Sequence, residues 1–312
     1  MTRRTSGTNW SWLRWVIEFN LRRHPGFQKN FRLDGKIQAL GSGLFHKNYL
    51  FEASGKHLVL RLGIVERNLQ TRHEAITSLR REAKTLDALR SFDLSFMVPE
   101  LICLADDESG EIVGLIESAV DGMPLSFLTT RREPDDPLKI IAQVAAAVHT
   151  LAKSNFNHLD RHADSRGHVT ASLAALPDSL FEEFPEAANA RDWILSQLPH
   201  DRASRVLHGD LLPQNLLFEI EENGEIGVVD WEYAQIGDPA YDLAIVTRGV
   251  RKPLGMPGGL QRLLQFYNGA AEENISASAV VVHELLLHLN WLTEAAEARS
   301  RNQLEGHGPE HY

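Results

Sequence analysis

The sequence predicts an α+β chain in two lobes: a small antiparallel-sheet N-lobe carrying one helix, then a larger, mostly helical C-lobe. Three observations carry this. Residues 35–62 and 101–120 alternate apolar and polar positions between turn signals, which is the period of half-buried strands. Residues 72–89, 137–152 and 278–301 repeat leucine, alanine or valine at steps of three and four, which is the period of a helix with one buried face. Beyond residue 120 only two short runs, NLLFEI and IGVVD, read as strands.

Taken in order, Trp12, Trp15, Val16 and Phe19 recur at helical spacing, and the expectation is a helix docked on its own domain through that face. Arg14 and Glu18 interrupt the apolar run and no small-residue cleavage site follows, so secretion is not expected. Strands follow over 35–62, with turns at 41–43 and 54–55, and then the helix of 72–89. A hairpin over 101–120 turns at 108–110. Residues 1–116 form the N-terminal lobe with its helical extension, 117–124 the hinge, and 125–312 the C-terminal lobe. The last residues, NQLEGHGPEHY, are expected to fray.

Composition narrows the partners. A formal charge of -10 over 312 residues opposes binding to nucleic acid, whose phosphates require a basic surface, and suits a cationic small molecule. Cys103 is the single cysteine, so no internal disulfide or thiolate metal cluster can form, and a reducing, cytoplasmic setting fits. His158, His162 and His168 lie close together but lack a further ligand at zinc-site spacing.

The chemistry concentrates in VLHGDLLPQNLLFEIEENGEIGVVDWEYAQIGDPAYDLA, residues 206–244. Asp210 stands five residues before Asn215, and a β-like run delivers Asp230. Phosphoryl transfer needs a carboxylate beside the attacking hydroxyl and oxygen ligands for magnesium. These three side chains meet that need. Each taken singly is an ordinary turn or cap residue; the combination, framed by HGD and GDPAYDLA, is not.

HGDLLPQN, VVDWE and GDPAYDL together resemble the aminoglycoside phosphotransferase family, relatives of choline kinases and other small-molecule kinases with a protein-kinase-like fold. The resemblance covers most of the chain. It implies a two-lobe kinase-like fold, with ATP as phosphoryl donor (GTP as the alternative), Mg2+ as cofactor, and a small-molecule hydroxyl as acceptor. Antibiotics such as aminoglycosides are among the acceptors it allows. By the same match Asp210 is the catalytic base, Asn215 and Asp230 hold magnesium, His208 supports the loop, and Asp242 anchors it. The N-lobe then binds the nucleotide. Gly41, Ser42 and Gly43 form a glycine turn whose amides approach the phosphates, Asn48 reaches them or braces the turn, and Arg61 stands where kinases carry a phosphate-binding lysine. Glu82 is the natural partner of Arg61. Backbone groups of Glu117 to Ala119 meet the purine edge.

A protein kinase is disfavoured because 230–242 leaves little room for a peptide platform. The reading from another class is a nucleotide-binding pseudokinase that regulates a partner without transfer. Arg61 in place of lysine is its only encouragement, since Asp210, Asn215 and Asp230 all persist.

Overall fold

The computed structural model describes residues 9–28, 31–42, 46–63, 69–128, 135–198, 202–218, 224–247 and 258–304. The chain divides into two compact units, Met1–Gly122 with Glu221–Tyr233, and Met123–Ile220 with Ala234–Tyr312.

The first unit opens with α1 (Trp10–Arg23), then β1 (Leu33–Ser42), β2 (His46–Ala53), β3 (Lys56–Gly63), α2 (Leu69–Leu89), β4 (Leu101–Asp106) and β5 (Ile112–Ser118). The strands form an antiparallel sheet in the order β1-β2-β3-β5-β4. Ser54 and Gly55 close the β2–β3 hairpin with φ of 53° and 76°, the left-handed backbone that a two-residue turn demands. The β4–β5 turn is tied by the Asp107 carboxylate, which accepts hydrogen bonds from the Ser109 and Glu111 amides at 2.9 and 3.1 Å. The helix expected over 72–89 begins one turn earlier, at Leu69.

Helix α1 does dock on its own unit, and of the expected face Val16 is buried and Trp15 packs at the core, while Trp12 is left out. Leu13, Val16, Ile17 and Leu21 are fully buried against Tyr49, Phe51, Leu58 and Leu60, whereas Trp12 is 37% exposed. Trp15 packs at the edge of that cluster and stacks on Phe19. The aliphatic residues fit the sheet closely, and the large rings are left to its rim. Asn20 fixes the helix in place: its amide nitrogen donates to Val16 O and Asp106 O, and its oxygen accepts from Asp106 N, each at 2.9 Å.

The second unit comprises β6 (Met123–Pro124), α3 (Leu125–Leu128), α4 (Asp135–His149), α5 (Ser165–Ala174), α6 (Asp178–Glu183), α7 (Pro185–Ser196), β7 (Arg205–Leu207) and β8 (Leu216–Phe218). After β9 (Ile226–Val228), which belongs to the first unit, it resumes with β10 (Gln235–Gly237), α8 (Ala240–Thr247), α9 (Gly259–Ala270) and α10 (Ala277–Leu304). Strands β7 and β10 pair antiparallel, as do β6 and β8. None of β6, β7 and β10 is expected from the sequence, because two or three residues are too few to display an alternation. Helix α4 packs on α9, and α10 packs on α5, α7 and α8. Helix α10 carries on to Leu304, so the first three residues of the tail expected to fray are helical; the rest lie outside the described residues. Among the described residues no helix is long and apolar enough to cross a membrane.

The two faces of α1 make opposite predictions for stability. Leu13→Ala removes a fully buried side chain and is expected to cost about 2–5 kcal/mol, while Trp12→Ala is expected to cost less than about 1 kcal/mol. Urea unfolding of the two variants checks this, and a larger loss from Trp12 would mean that the docking face has been misassigned.

Candidate active site

In the first unit the polar interior is organised around Arg61. Its place follows from the sheet register: Gly41 on β1 pairs with Asn48 on β2, Asn48 with Arg61 on β3, and Arg61 with Leu115 on β5. Cross-strand partners share a face of the sheet, so Asn48 and Arg61 point the same way. The Asn48 side-chain oxygen is buried without a hydrogen-bond partner. Gly43 lies outside the described residues, and Ser42 ends β1.

The Arg61 guanidinium meets carboxylates on several sides. Nη2 donates to Asp230 Oδ1 at 2.8 Å, Nε lies 3.0 Å from Glu82 Oε2, off the hydrogen-bond axis, and Nη2 lies 3.6 Å from Glu232 Oε2. Burial opposes its charge, but Glu82, Asp230, Glu117 and Glu232 outweigh burial and hold Arg61 protonated, well above the ordinary arginine range. Glu82, fully buried on α2, also accepts the Trp231 amide through Oε1 at 3.1 Å. The DWE segment is thus fastened at each of its residues. Asp230 is held by Arg61, Trp231 by Glu82, and Glu232 by His46 Nδ1 and Ser78 Oγ, each 2.8 Å away. The Trp231 ring is fully buried, stacks on Phe96 and donates to Val228 O. Backbone bonds between Met97 and both Ile226 and Val228 bring this segment into the first unit. Asp230 itself has φ of 72°, a left-handed conformation that a non-glycine residue adopts at some cost and only when its surroundings enforce it.

Along 117–119 two backbone amides are already bonded within the sheet. The Ser118 amide donates to Glu100 O and the Ala119 amide to His57 O, so neither N–H is free to meet a purine. Those bonds continue the sheet by one residue past β5, and the chain has no reason to release them. What Glu117 contributes instead is its side chain, 5% exposed, with Oε2 buried and without a hydrogen-bond partner. Burial pushes its carboxyl up to about 7; Arg61 opposes the shift and Asp230 adds to it.

In the second unit the loop between β7 and β8 carries Asp210. Gly209 has φ of 84°, which lets the chain reverse between His208 and Asp210. Asp242, fully buried in the first turn of α8, accepts both loop amides: His208 N to Oδ2 and Gly209 N to Oδ1, each at 2.9 Å. Burial alone would raise the Asp242 carboxyl, but His149, His208 and the Gly209 amide hold it below the ordinary carboxylate range. His208 is buried, and its Nδ1 accepts the Asp210 amide at 3.2 Å. The Asn215 amide nitrogen donates to Asp210 O at 2.8 Å and to Asp210 Oδ2 at 3.1 Å. That leaves the Asn215 carbonyl oxygen as the group able to ligate a hard cation.

Beside this loop, Asp238 accepts from Arg202 Nη2 at 3.0 Å, His283 Nε2 at 3.1 Å and Ala240 N at 3.1 Å, and its own amide donates to His168 Nδ1 at 3.0 Å. Burial pushes His168 down to about 2, so its ring is neutral. His162 stacks on His168 with ring centres 4.2 Å apart and planes within 10°, so the two imidazoles lie parallel rather than converging.

Sequence reasoning missed His46, Ser78, His149, Glu232 and Asp238 as members of these networks. Only Glu232 and Asp238 carried a signal, by standing inside the DWE and GDPAY text.

Glu117 yields a pH prediction. Its carboxyl titrates near 7 in the folded chain and from its ordinary 4.5 when unfolded, so between those values the folded state binds more proton. Its contribution to stability therefore falls as pH rises from 4.5 to about 7 and is level above. Glu117→Gln, which mimics the protonated group, is expected to stabilise the protein by roughly 2–3 kcal/mol more at pH 8 than at pH 5. Urea unfolding at the two pH values measures the difference, and an equal effect at both would place the ionised carboxylate in a solvated or paired setting.

Comparison with known proteins supplies the context. A family profile described as "Phosphotransferase enzyme family" matches residues 36–274. Viomycin phosphotransferase of Streptomyces vinaceus is 30% identical over 183 residues, 53% of this chain and 60% of that protein, and the share falls to 22% for longer relatives. The GDP complex of aminoglycoside 2'-phosphotransferase-IIIa superposes with a TM-score of 0.67 at 16% identity, covering 96% of each chain. Macrolide 2'-phosphotransferase type I gives 0.65 at 19% identity, covering 95% of this chain and 94% of its own. Those likenesses establish the α+β, protein-kinase-like two-lobe fold. With the match spanning residues 36–274 and HGD, DWE and GDPAYD all inside it, the chain belongs to the phosphotransferase enzyme family.

Proposed function

We propose that the chain transfers the γ-phosphoryl group of ATP, with GTP as the alternative donor, to a hydroxyl of a small-molecule acceptor, and that it does so in the cytoplasm without nucleic-acid or membrane partners. The observation that carries the reading is the fixation of Asp210. Its carboxylate accepts from Asn215, on a loop whose preceding amides are received by Asp242. A general base must be held at a defined place before it can orient a hydroxyl, and the bonds around Asp210 support that role.

In the mechanism Asp210 accepts the acceptor hydroxyl's proton as the oxygen bonds to the γ-phosphorus, and the bond to the β–γ bridging oxygen breaks to release the nucleoside diphosphate. Asn215, through its carbonyl oxygen, and Asp230 would hold magnesium. The donors fit such an ion, since both are oxygens, the Asn215 carbonyl and the Asp230 carboxylate. Magnesium, when bound, neutralises phosphate charge and orients the γ-phosphoryl group. Arg61 holds Asp230 in its left-handed conformation and supplies positive charge toward the phosphates; Glu82 holds Arg61. In this reading Gly41 and Ser42, the last two residues of β1, and Asn48 on β2 belong to the phosphate side, and backbone groups along 117–119 meet the base. Viomycin phosphotransferase and the aminoglycoside and macrolide enzymes named above support an antibiotic, aminoglycosides included, as the acceptor class.

One observation favours a second reading, a nucleotide-binding regulator without transfer activity: Arg61 is an arginine already engaged by carboxylates. A magnesium-dependent transfer screen with ATP and GTP, across aminoglycosides, viomycin, macrolides, choline and simple sugars, decides between them. Asp210→Ala is expected to lower transfer by about 10²–10⁴-fold while keeping nucleotide affinity, and Asp230→Ala to weaken magnesium-dependent nucleotide binding as well. Full transfer by Asp210→Ala would refute the mechanism, and tight nucleotide binding with no acceptor phosphorylated would favour the regulator.

A further inference from the structure

His149, the last residue of α4, and Tyr267 on α9 take no part in the mechanism above, yet both are buried next to its anchor. His149 is 4% exposed and Tyr267 2%. The Tyr267 hydroxyl lies 2.7 Å from His149 Nδ1, and His149 Nε2 lies 3.2 Å from Asp242 Oδ2. Asp242 in turn receives the His208 and Gly209 amides, and the residue after them is Asp210. An unbroken line of hydrogen bonds therefore runs from α9 through α4 and α8 to the loop, all within the second unit.

The donor pattern along this line is self-consistent. A proton on Nε2 faces the Asp242 carboxylate in either charge state of the ring. With the ring neutral, the Tyr267 hydroxyl donates to Nδ1 and so selects that tautomer, much as outer partners orient metal-bound histidines. Burial, with Asp242 nearby, pushes the Tyr267 phenol above its ordinary range, which keeps it a donor. Asp242 has two oxygens, three donors reach it, and only one rotation of the carboxylate meets them all.

We propose that His149 and Tyr267 are positioning residues for the catalytic loop: they hold the Asp242 carboxylate in the orientation that receives the His208 and Gly209 amides, and so set where Asp210 points. Neither touches a reacting atom. The inference rests on Asp210 being the base, and its consequence for rate follows from geometry, since misplacing a base by about 1 Å can cost on the order of a hundredfold.

The test uses the full chain and needs no identified acceptor. Hydrogen exchange is followed across residues 207–211 in His149→Leu, Tyr267→Phe and His149→Gln. Magnesium-dependent phosphate release from ATP, with water in the acceptor's place, is measured in parallel with Asp210→Ala as control. In His149→Leu the 207–211 amides are expected to exchange about tenfold faster while α4 and α9 keep their protection. ATP turnover is expected to fall about ten- to a hundredfold in kcat, with KM for ATP within about twofold. Tyr267→Phe should show a smaller effect of the same kind, and His149→Gln, whose amide can still donate to Asp242, should recover most of it. Unchanged exchange over 207–211 in both His149→Leu and Tyr267→Phe overturns the proposal, as does loss of protection spread evenly over α4, α8 and α9. If His149→Leu does not fold, Tyr267→Phe, which removes one oxygen atom, decides alone. An Asp210→Ala protein with undiminished turnover would sink the phosphotransfer reading instead, while the exchange data would still judge the link between α9 and the loop.

Discussion

Burying carboxylates together is unfavourable unless a cation is buried with them, and the first unit meets this constraint with Arg61. The guanidinium faces Glu82, Asp230 and Glu232, with Glu117 close enough to feel its field. A planar fork of donors can serve several partners at once in a way that a point-like ammonium cannot. Removing it would leave these acids desolvated against one another, and a buried charge that loses its partner commonly costs several kcal/mol. The α2 helix, the sheet and the DWE segment are consequently tied through one side chain.

The second unit solves a different problem, that of holding a loop without regular structure. Strands β7 and β8 are three residues each, too short to set the loop's course by themselves. Buried carboxylates do it instead. Asp242 gathers the amides before Asp210, and four residues earlier Asp238 gathers Arg202, His283 and the α8 amide of Ala240. Both acids are fully buried, and both are matched by histidine from helices distant in sequence. Acids that accept several hydrogen bonds inside a protein are strong orienting groups because their charge has nowhere else to go.

What could be read in the sequence was whatever repeats or whatever is written contiguously. The five-stranded sheet and the long helices announce themselves through their periods, and Asp210, Asn215 and Asp230 through their spacing along one stretch. The pairing of Arg61 with Glu82 came only through the family resemblance, since a lone glutamate on a helix otherwise reads as a solvated side chain. His149 was not: it looks like the polar end of an alanine-rich helix, and only folding brings it to Asp242, 93 residues away. His46 and Ser78 were hidden for the same reason. On α1 the sequence picked out Val16 correctly, but close packing joined it to Leu13, Ile17 and Leu21 rather than to Trp12. At Ala119 no side-chain pattern reveals that the backbone amide is bonded to His57.

Because Glu221–Tyr233 completes the first unit, the order of synthesis matters. When residue 122 leaves the ribosome, the sheet and α2 can form, but Arg61 and Glu82 still lack Asp230, Phe96 lacks the Trp231 ring, and Met97 lacks its strand partner. Roughly a hundred further residues, most of the second unit's loop-bearing half, must emerge before that vacancy is filled. The N-terminal half of the first unit therefore lacks these partners until a segment made much later supplies them.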